Sequence, residues 1–226
     1  MLKEEIEKTL SASKERGWVL EPDAKRLLGR AGLGVTRFRW AHQLNEAIEF
    51  ADQIGYPVVA KIVSPDALHK SDVDGVTVGI TNKGTLSDVF NHYRSFKGFS
   101  GVLVEEMVTG IELIIGAKID YQFGPIILLG IGGTGVEIYQ DTTLRMAPLN
   151  PQDADYMING LKARQLLKGY RGSEPVNLPA LKSLLTTFSA LVMEIEAWIE
   201  SIDLNPVMCN AKGCVVADAR IMIGDL

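Results

Sequence analysis

Residues 130–141 read GIGGTGVEIYQD, and whether a helix or a strand follows these glycines decides the fold. Gly130, Gly132 and Gly135 satisfy G-x-G-x-x-G, and the apolar run before them is strand-like. A dinucleotide-binding turn also needs a helix to open at the third glycine, because the helix N-terminus holds the pyrophosphate. Here Val136, Ile138 and Gln140 alternate with Glu137, Tyr139 and Asp141, which is the pattern of a strand or turn. Glu137 would also repel a phosphate. The match is a bare motif, and no doubly wound dinucleotide fold is expected. G-x-x-x-x-G-K-[ST] is absent as well, so a nucleotide would have to be bound in another way.

Outward from this stretch the chain alternates helical and strand-like segments. Residues 2–16 predict an amphipathic helix, and EPDAKRLLGRAGLG (21–34) a second, with Pro22 and Asp23 in its first turn. VTRFRW (35–40) alternates as a strand, and NEAIEFADQIGY (45–56) predicts a helix closed by Gly55. PVVAKIV (57–63) is a short buried strand, VTVGI (76–80) a strand, and 85–96 a helix. From GVLVEEMV (101–108) to PIILLGI (125–131) three strands are expected, turning at Gly110 and at YQFGP. Residues 151–168 predict a helix, 178 to about 193 a longer one, and two strands end the chain. The class is α+β. Helix-rich sequence gives way to strand-rich sequence near 104–109.

The 226 residues are 46% hydrophobic and 23% charged, with a net charge of -5. That is the balance of a globular protein, and the lack of a long basic run argues against nucleic acid. The first eighteen residues are expected to have no signal-peptide core, and no later apolar run is expected to approach a membrane span. A cytoplasmic protein is expected. Two cysteines, Cys209 and Cys214, are too few for a disulfide scaffold or a cysteine zinc site, and reduced thiols are expected.

The segment SIDLNPVMC-NAKG-CVVADARIM (201–222) reads as a hairpin. Centred on Ala211 and Lys212, it sets Asp203 opposite Arg220, Asn205 opposite Asp218 and Cys209 opposite Cys214. The other face pairs Leu204 with Ala219, Pro206 with Ala217 and Met208 with Val215. One face is then wholly apolar, and a slip of one residue would mix the two. Opposed residues have Cβ atoms about 4.5–5.5 Å apart, close enough for Asn205 and Asp218 to share one hard cation such as Mg²⁺. A solvated face with one Asp–Arg pair satisfies the same spacing, and spacing alone leaves both open.

YPVVAKIVSPDALHKSD, LVEEMVTGIELIIG, FGPIILLGIGG, LLKGYRG and DLNPV…VADARI together resemble the β subunit of NDP-forming acyl-CoA synthetases, relatives of succinyl-CoA synthetase. The resemblance covers roughly residues 21–222. It implies an ATP-grasp fold, in which two α+β subdomains hold ATP between them. The expected division is an N-terminal helix 1–20, a first subdomain 21–104 with a histidine loop at 63–75, and a second subdomain 105–226 with the metal-binding hairpin.

By this resemblance Asn205 and Asp218 are Mg²⁺ ligands, Arg145 meets phosphate, Glu105 with nearby backbone meets adenine, and Glu112 meets the ribose hydroxyls. Lys61 is a phosphate ligand, which suits an ammonium in a buried strand that needs a partner. His69, at the middle of the loop 63–75, carries the phosphoryl group. Six residues on either side, at about 3.3 Å each, give it a reach of roughly 20 Å. Imidazole is nucleophilic near pH 7 and leaves readily once phosphorylated. Lys70 balances phosphate charge, and Asp203 holds the ring in one tautomer.

The implied reaction is acyl-CoA + ADP + phosphate ⇌ carboxylate + CoA + ATP, of which this chain performs the phosphohistidine–ADP half. A CoA-binding α subunit is the implied partner, as an α2β2 heterotetramer. The chain departs from the family at Asp74, where Gly is usual, and at Thr134 and Gly135, where bulkier residues are common. A free-standing ATP-grasp carboxylate–amine ligase and a non-catalytic nucleotide-binding subunit are the other readings.

Overall fold

The computed structural model describes residues 2–66, 74–133, 140–172 and 174–224, and for residues 2 and 3 the backbone alone. In chain order come α1 (Leu2–Ala12), a short 3-10 turn, β1 (Trp18–Val19) and α2 (Glu21–Arg30). Next are β2 (Phe38–Ala41), α3 (Leu44–Ile54), β3 (Val58–Val63), β4 (Val76–Ile80), α4 (Lys83–Arg94) and β5 (Gly101–Glu106). The remainder is β6 (Ile111–Asp120), β7 (Gly124–Ile131), β8 (Thr142–Met146), α5 (Pro151–Gly160), α6 (Arg164–Leu167), α7 (Leu178–Ile195), β9 (Ile199–Cys209), β10 (Cys214–Val216) and β11 (Arg220–Ile223).

Contacts divide the chain into two units. The larger comprises Met1–Val19, Asp23–Val35 and Thr109–Leu226, and the smaller Leu20–Pro22 and Thr36–Val108. This differs from the expected division in two ways. β5 pairs with β3 as far as Glu106, which carries the smaller unit past residue 104. Residues 23–35 belong to the larger unit because Ala24, Leu27, Leu28 and Leu33 join its core beside Ile6 and Leu10.

The smaller unit is a four-stranded antiparallel sheet in the order β2-β5-β3-β4. Helices α3 and α4 cover one face, where Ala47, Phe50, Ala51, Leu86, Phe90 and Tyr93 pack on Val58, Ala60, Ile62, Val102 and Val104. Strand side chains alternate, so Val59, Lys61, Leu103 and Glu105 lie on the other face. All six residues of β3 are buried, Lys61 among them. Asn82 starts α4 by accepting from the Thr85 amide.

The larger unit is a seven-stranded antiparallel sheet in the order β1-β11-β9-β6-β7-β8, with β10 also paired to β9. Its helix-packed face carries Leu113, Ile115, Ile127 and Leu129 against Met157 and Ile158 of α5 and Leu185, Phe188 and Val192 of α7. β7 and β8, on either side of the glycine stretch, pair antiparallel from Ile126–Met146 to Gly130–Thr142. The residues read as VEIY lie outside the described ones.

The single helix expected over 151–168 is broken. Leu161 is extended, and the Asp141 carboxylate accepts from the amides of Lys162 and Ala163 at 2.7 Å each. These bonds replace helical ones. Helix α7 and the turn after it, Leu178–Trp198, have a mean hydropathy of 1.3, apolar and long enough by composition to cross a membrane. That corrects the expectation that no run approaches a span. Its apolar stripe, Leu181, Leu184, Leu185, Phe188, Leu191, Val192 and Ile195, is buried in the core of the larger unit.

Candidate functional site

The C-terminal hairpin keeps the expected register at both ends: Cys209 opposes Cys214, Met208 opposes Val215, Val207 opposes Val216 and Asp203 opposes Arg220. Residues 217–219 leave the ladder, and the amides of Ala217 and Asp218 donate to the Pro206 carbonyl at 3.0 and 3.4 Å. Asp218 therefore stays opposite Asn205 and Pro206. The expected uniform faces do not hold. Against β6, Leu113 pairs with Val207 and Ile115 with Leu204, so β9 has one extra residue in between. This bulge reverses the alternation. Val207, Cys209, Cys214 and Val216 enter the core with Leu204, and Met208 changes face. The cysteine sulfurs are paired with each other, with Cα atoms 4.2 Å apart, where reduced thiols had been expected.

On the sheet face away from the helices, Asp203 opposes both Gly116 and Arg220, and Glu112 opposes Met208. This face gathers Glu112, Asp203 and Arg220, with Asn205 and Asp218 at the bulge. Burial pushes the Asp203 carboxyl up from its ordinary range; the Arg220 guanidinium pulls it down, and Asp218 adds to the rise. Asn205 is exposed and Asp218 partly buried. Among the described residues no group of three or more His, Cys, Asp or Glu could hold a metal unaided. An amide oxygen and a carboxylate are a partial set of hard donors, and they fit Mg²⁺, which keeps water and phosphate in the rest of its shell.

Glu112 also contacts the glycine stretch. Its carbonyl accepts from the Gly132 amide at 2.7 Å, and a Cβ on Gly132 would lie 2.9 Å from that same carbonyl. Arg145 is elsewhere. It opposes the core residue Ile127 on the helix-packed face, and its guanidinium sits 4.2 Å from the Tyr156 ring centroid. This is the face opposite to the one that carries Asp203 and Glu112.

In the smaller unit Lys61 has partners that sequence reading missed. Its Nζ lies 2.8 Å from Glu21 Oε1 and 2.7 Å from Glu105 Oε1. Thr36 Oγ1 donates to the other Glu105 oxygen at 2.5 Å. Lys61 is 5% exposed, and Glu21 and Glu105 are 2% exposed each. Both Glu105 oxygens are engaged, one by Lys61 and one by Thr36. Glu21 left no signal beyond its place at the start of a helix, 40 residues from Lys61.

His69 and Lys70 lie outside the described residues. The flanks of their loop are anchored: the Ile62 amide donates to the Gly75 carbonyl at 2.9 Å, and the Ser100 amide to the Val63 carbonyl at 2.8 Å. Asp74 adopts φ 51°, a left-handed conformation that Gly takes freely and Asp tolerates better than most residues.

Residues 11–223 match the family model described as an ATP-grasp domain. The chain is 38% identical over 220 residues to the β subunit of ADP-forming acetate–CoA ligase I of Pyrococcus furiosus, covering 94% of both. It is 39% identical to the ADP-forming 4-hydroxybutyrate–CoA ligase of Nitrosopumilus maritimus, covering 90% of this chain but 30% of that protein. A solved structure of acetyl-coenzyme A synthetase 1 from Ca. Korarchaeum cryptofilum, with coenzyme A and Mg-AMPPCP, superposes with a TM-score of 0.86 at 40% identity. That match covers 97% of this chain and all of that one, whose phosphohistidine segment points towards the nucleotide-binding site. The two-unit architecture is thus the ATP-grasp fold, and the chain belongs to the ATP-grasp domain family that includes β subunits of ADP-forming acetate–CoA ligases.

Proposed function

We propose that the chain is the nucleotide-binding β subunit of a cytoplasmic NDP-forming acyl-CoA synthetase, moving a phosphoryl group between His69 and ADP. The C-terminal hairpin supports this most directly, because its register gathers Asp203, Asn205 and Asp218 in one unit. A phosphohistidine needs both a partner for its ring and a place for charge on the moving group. Asp203 accepts from the imidazole N–H and holds the other nitrogen toward phosphorus. Arg220, opposite Asp203, pulls that carboxyl back down against the rise that burial gives it. Asn205 and Asp218 hold Mg²⁺, which when bound supplies positive charge against the phosphate oxygens. Lys61 adds a fixed ammonium for phosphate, and Glu112 accepts from ribose hydroxyls.

In the step toward ATP, the P–N bond of phosphohistidine breaks as a P–O bond to the terminal phosphate of ADP forms. The neutral imidazole is regenerated. The remaining half, acyl-CoA + phosphate + His69 to carboxylate + CoA + phospho-His69, needs a CoA-binding α subunit, and an α2β2 heterotetramer is the proposed assembly. The Korarchaeum structure, with its phosphohistidine segment turned to bound nucleotide, and the β-subunit names of the relatives support this reading. Exchange of labelled ADP into ATP tests it. His69→Ala should abolish exchange while leaving the Kd for Mg-ADP within about twofold. Full exchange in that variant would refute the phosphohistidine route.

A further inference from the structure

We propose that Glu21 is a positioning residue of the nucleotide site, fixing the Lys61 ammonium jointly with Glu105 so that it meets phosphate as a preset, protonated donor. This rests on the reading of Lys61 as a phosphate ligand. Three segments meet at the ammonium: β3 brings Lys61, β5 brings Glu105 and the first residue of α2 brings Glu21. Each carboxylate is itself supported. Thr36 holds the far oxygen of Glu105, and Glu21 sits where the positive end of a helix favours a carboxylate.

Packing does not require these charges. The other β3 side chains are Val, Ala and Ile, and apolar residues of similar volume usually serve a buried position as well as an ion cluster or better. The cluster instead answers two needs of a phosphate-binding lysine. A four-carbon stem is flexible, and two carboxylates restrict it to one rotamer. Burial disfavours the charged ammonium, and adjacent carboxylates restore it. Glu105 meets part of each need, and Glu21 adds to it from another segment of the unit.

The test is Mg-ADP binding by calorimetry on the purified chain, for wild type, Glu21→Gln, Lys61→Met and the double variant, at pH values from 7 to 9. Glu21→Gln should weaken binding roughly tenfold, the loss expected for one charged hydrogen bond to a ligand-bearing group. Its affinity should fall further as pH rises, while wild type stays flat, because the buried ammonium has lost part of its counter-charge. In the Lys61→Met background the same change should alter Kd by less than about twofold, since Glu21 acts through Lys61.

Equal losses in both backgrounds, or a Glu21→Gln protein with wild-type affinity and pH profile, would overturn the proposal. Should Glu21→Gln fail to fold, Glu21→Asp keeps the charge but shortens its reach, and the same loss and pH slope are expected in weaker form. Wild-type behaviour of folded Glu21→Asp would then count against the proposal. A wild-type chain that does not bind Mg-ADP would instead refute the parent reading.

Discussion

Asp203 shows burial and charge acting in opposite directions on one carboxyl. Burial raises its pKa most, Arg220 lowers it and Asp218 raises it again. A carboxyl raised in the folded state holds its proton more tightly there than in the unfolded chain. Stability is then lost as pH rises through the carboxylate range, whereas below that range both states are protonated and nothing is lost. Asp203→Asn should therefore raise the melting temperature at pH 7.5 and leave it near wild type at pH 3. The same variant should slow phosphoryl transfer about 100-fold, the low end for losing an acid–base partner, with Mg-ADP binding unchanged. A lower melting temperature at pH 7.5 would show that the Arg220 pairing outweighs burial. Asp218→Ala should weaken Mg²⁺-dependent ADP binding at least about tenfold, and unchanged binding would contradict the metal assignment.

At the scale of elements, β9 decides which side chains share a face. Its register with β10 and β11 was legible, since only one pairing opposes Asp203 to Arg220 and Cys209 to Cys214. The bulge between Leu204 and Val207 was not, because it is set by pairing with β6, nearly ninety residues earlier, and both faces beyond Pro206 are apolar. The break after α5 depends likewise on Asp141, 21 residues upstream, and the Lys61 cluster on residues 40 and 44 positions away. Local periodicity reveals strands and helices, whereas side-chain partners distant in sequence leave no periodic trace. The placement of Arg145 was not legible for a related reason. Its face follows from pairing with Ile127 on β7 rather than from its own neighbours. The junction of β6 and β7 yields a test of its own. Gly132→Ala would drive a Cβ to 2.9 Å from the Glu112 backbone, which has little room to yield. A loss of about 1–3 kcal/mol, read as a melting temperature roughly 2–12 °C lower, is expected. A melting temperature equal to wild type would show that the strands can part there without cost.

Across the whole molecule, each unit has its own sheet and core, and the two carry different kinds of charge. The larger holds carboxylates and an amide suited to a metal and an imidazole, and the smaller holds the lysine and the histidine loop. The chain spans nearly all of a separate β subunit but under a third of the 4-hydroxybutyrate–CoA ligase it also matches. The central claim is that His69 carries phosphate to and from nucleotide. Incubating the chain with Mg-ATP, keeping it alkaline and mapping added phosphate by mass spectrometry tests that claim most directly. The account predicts acid-labile phosphate on His69, absent from Asp218→Ala. An unmodified His69 in a chain shown to bind Mg-ATP, both alone and with a CoA-binding α subunit present, would contradict it.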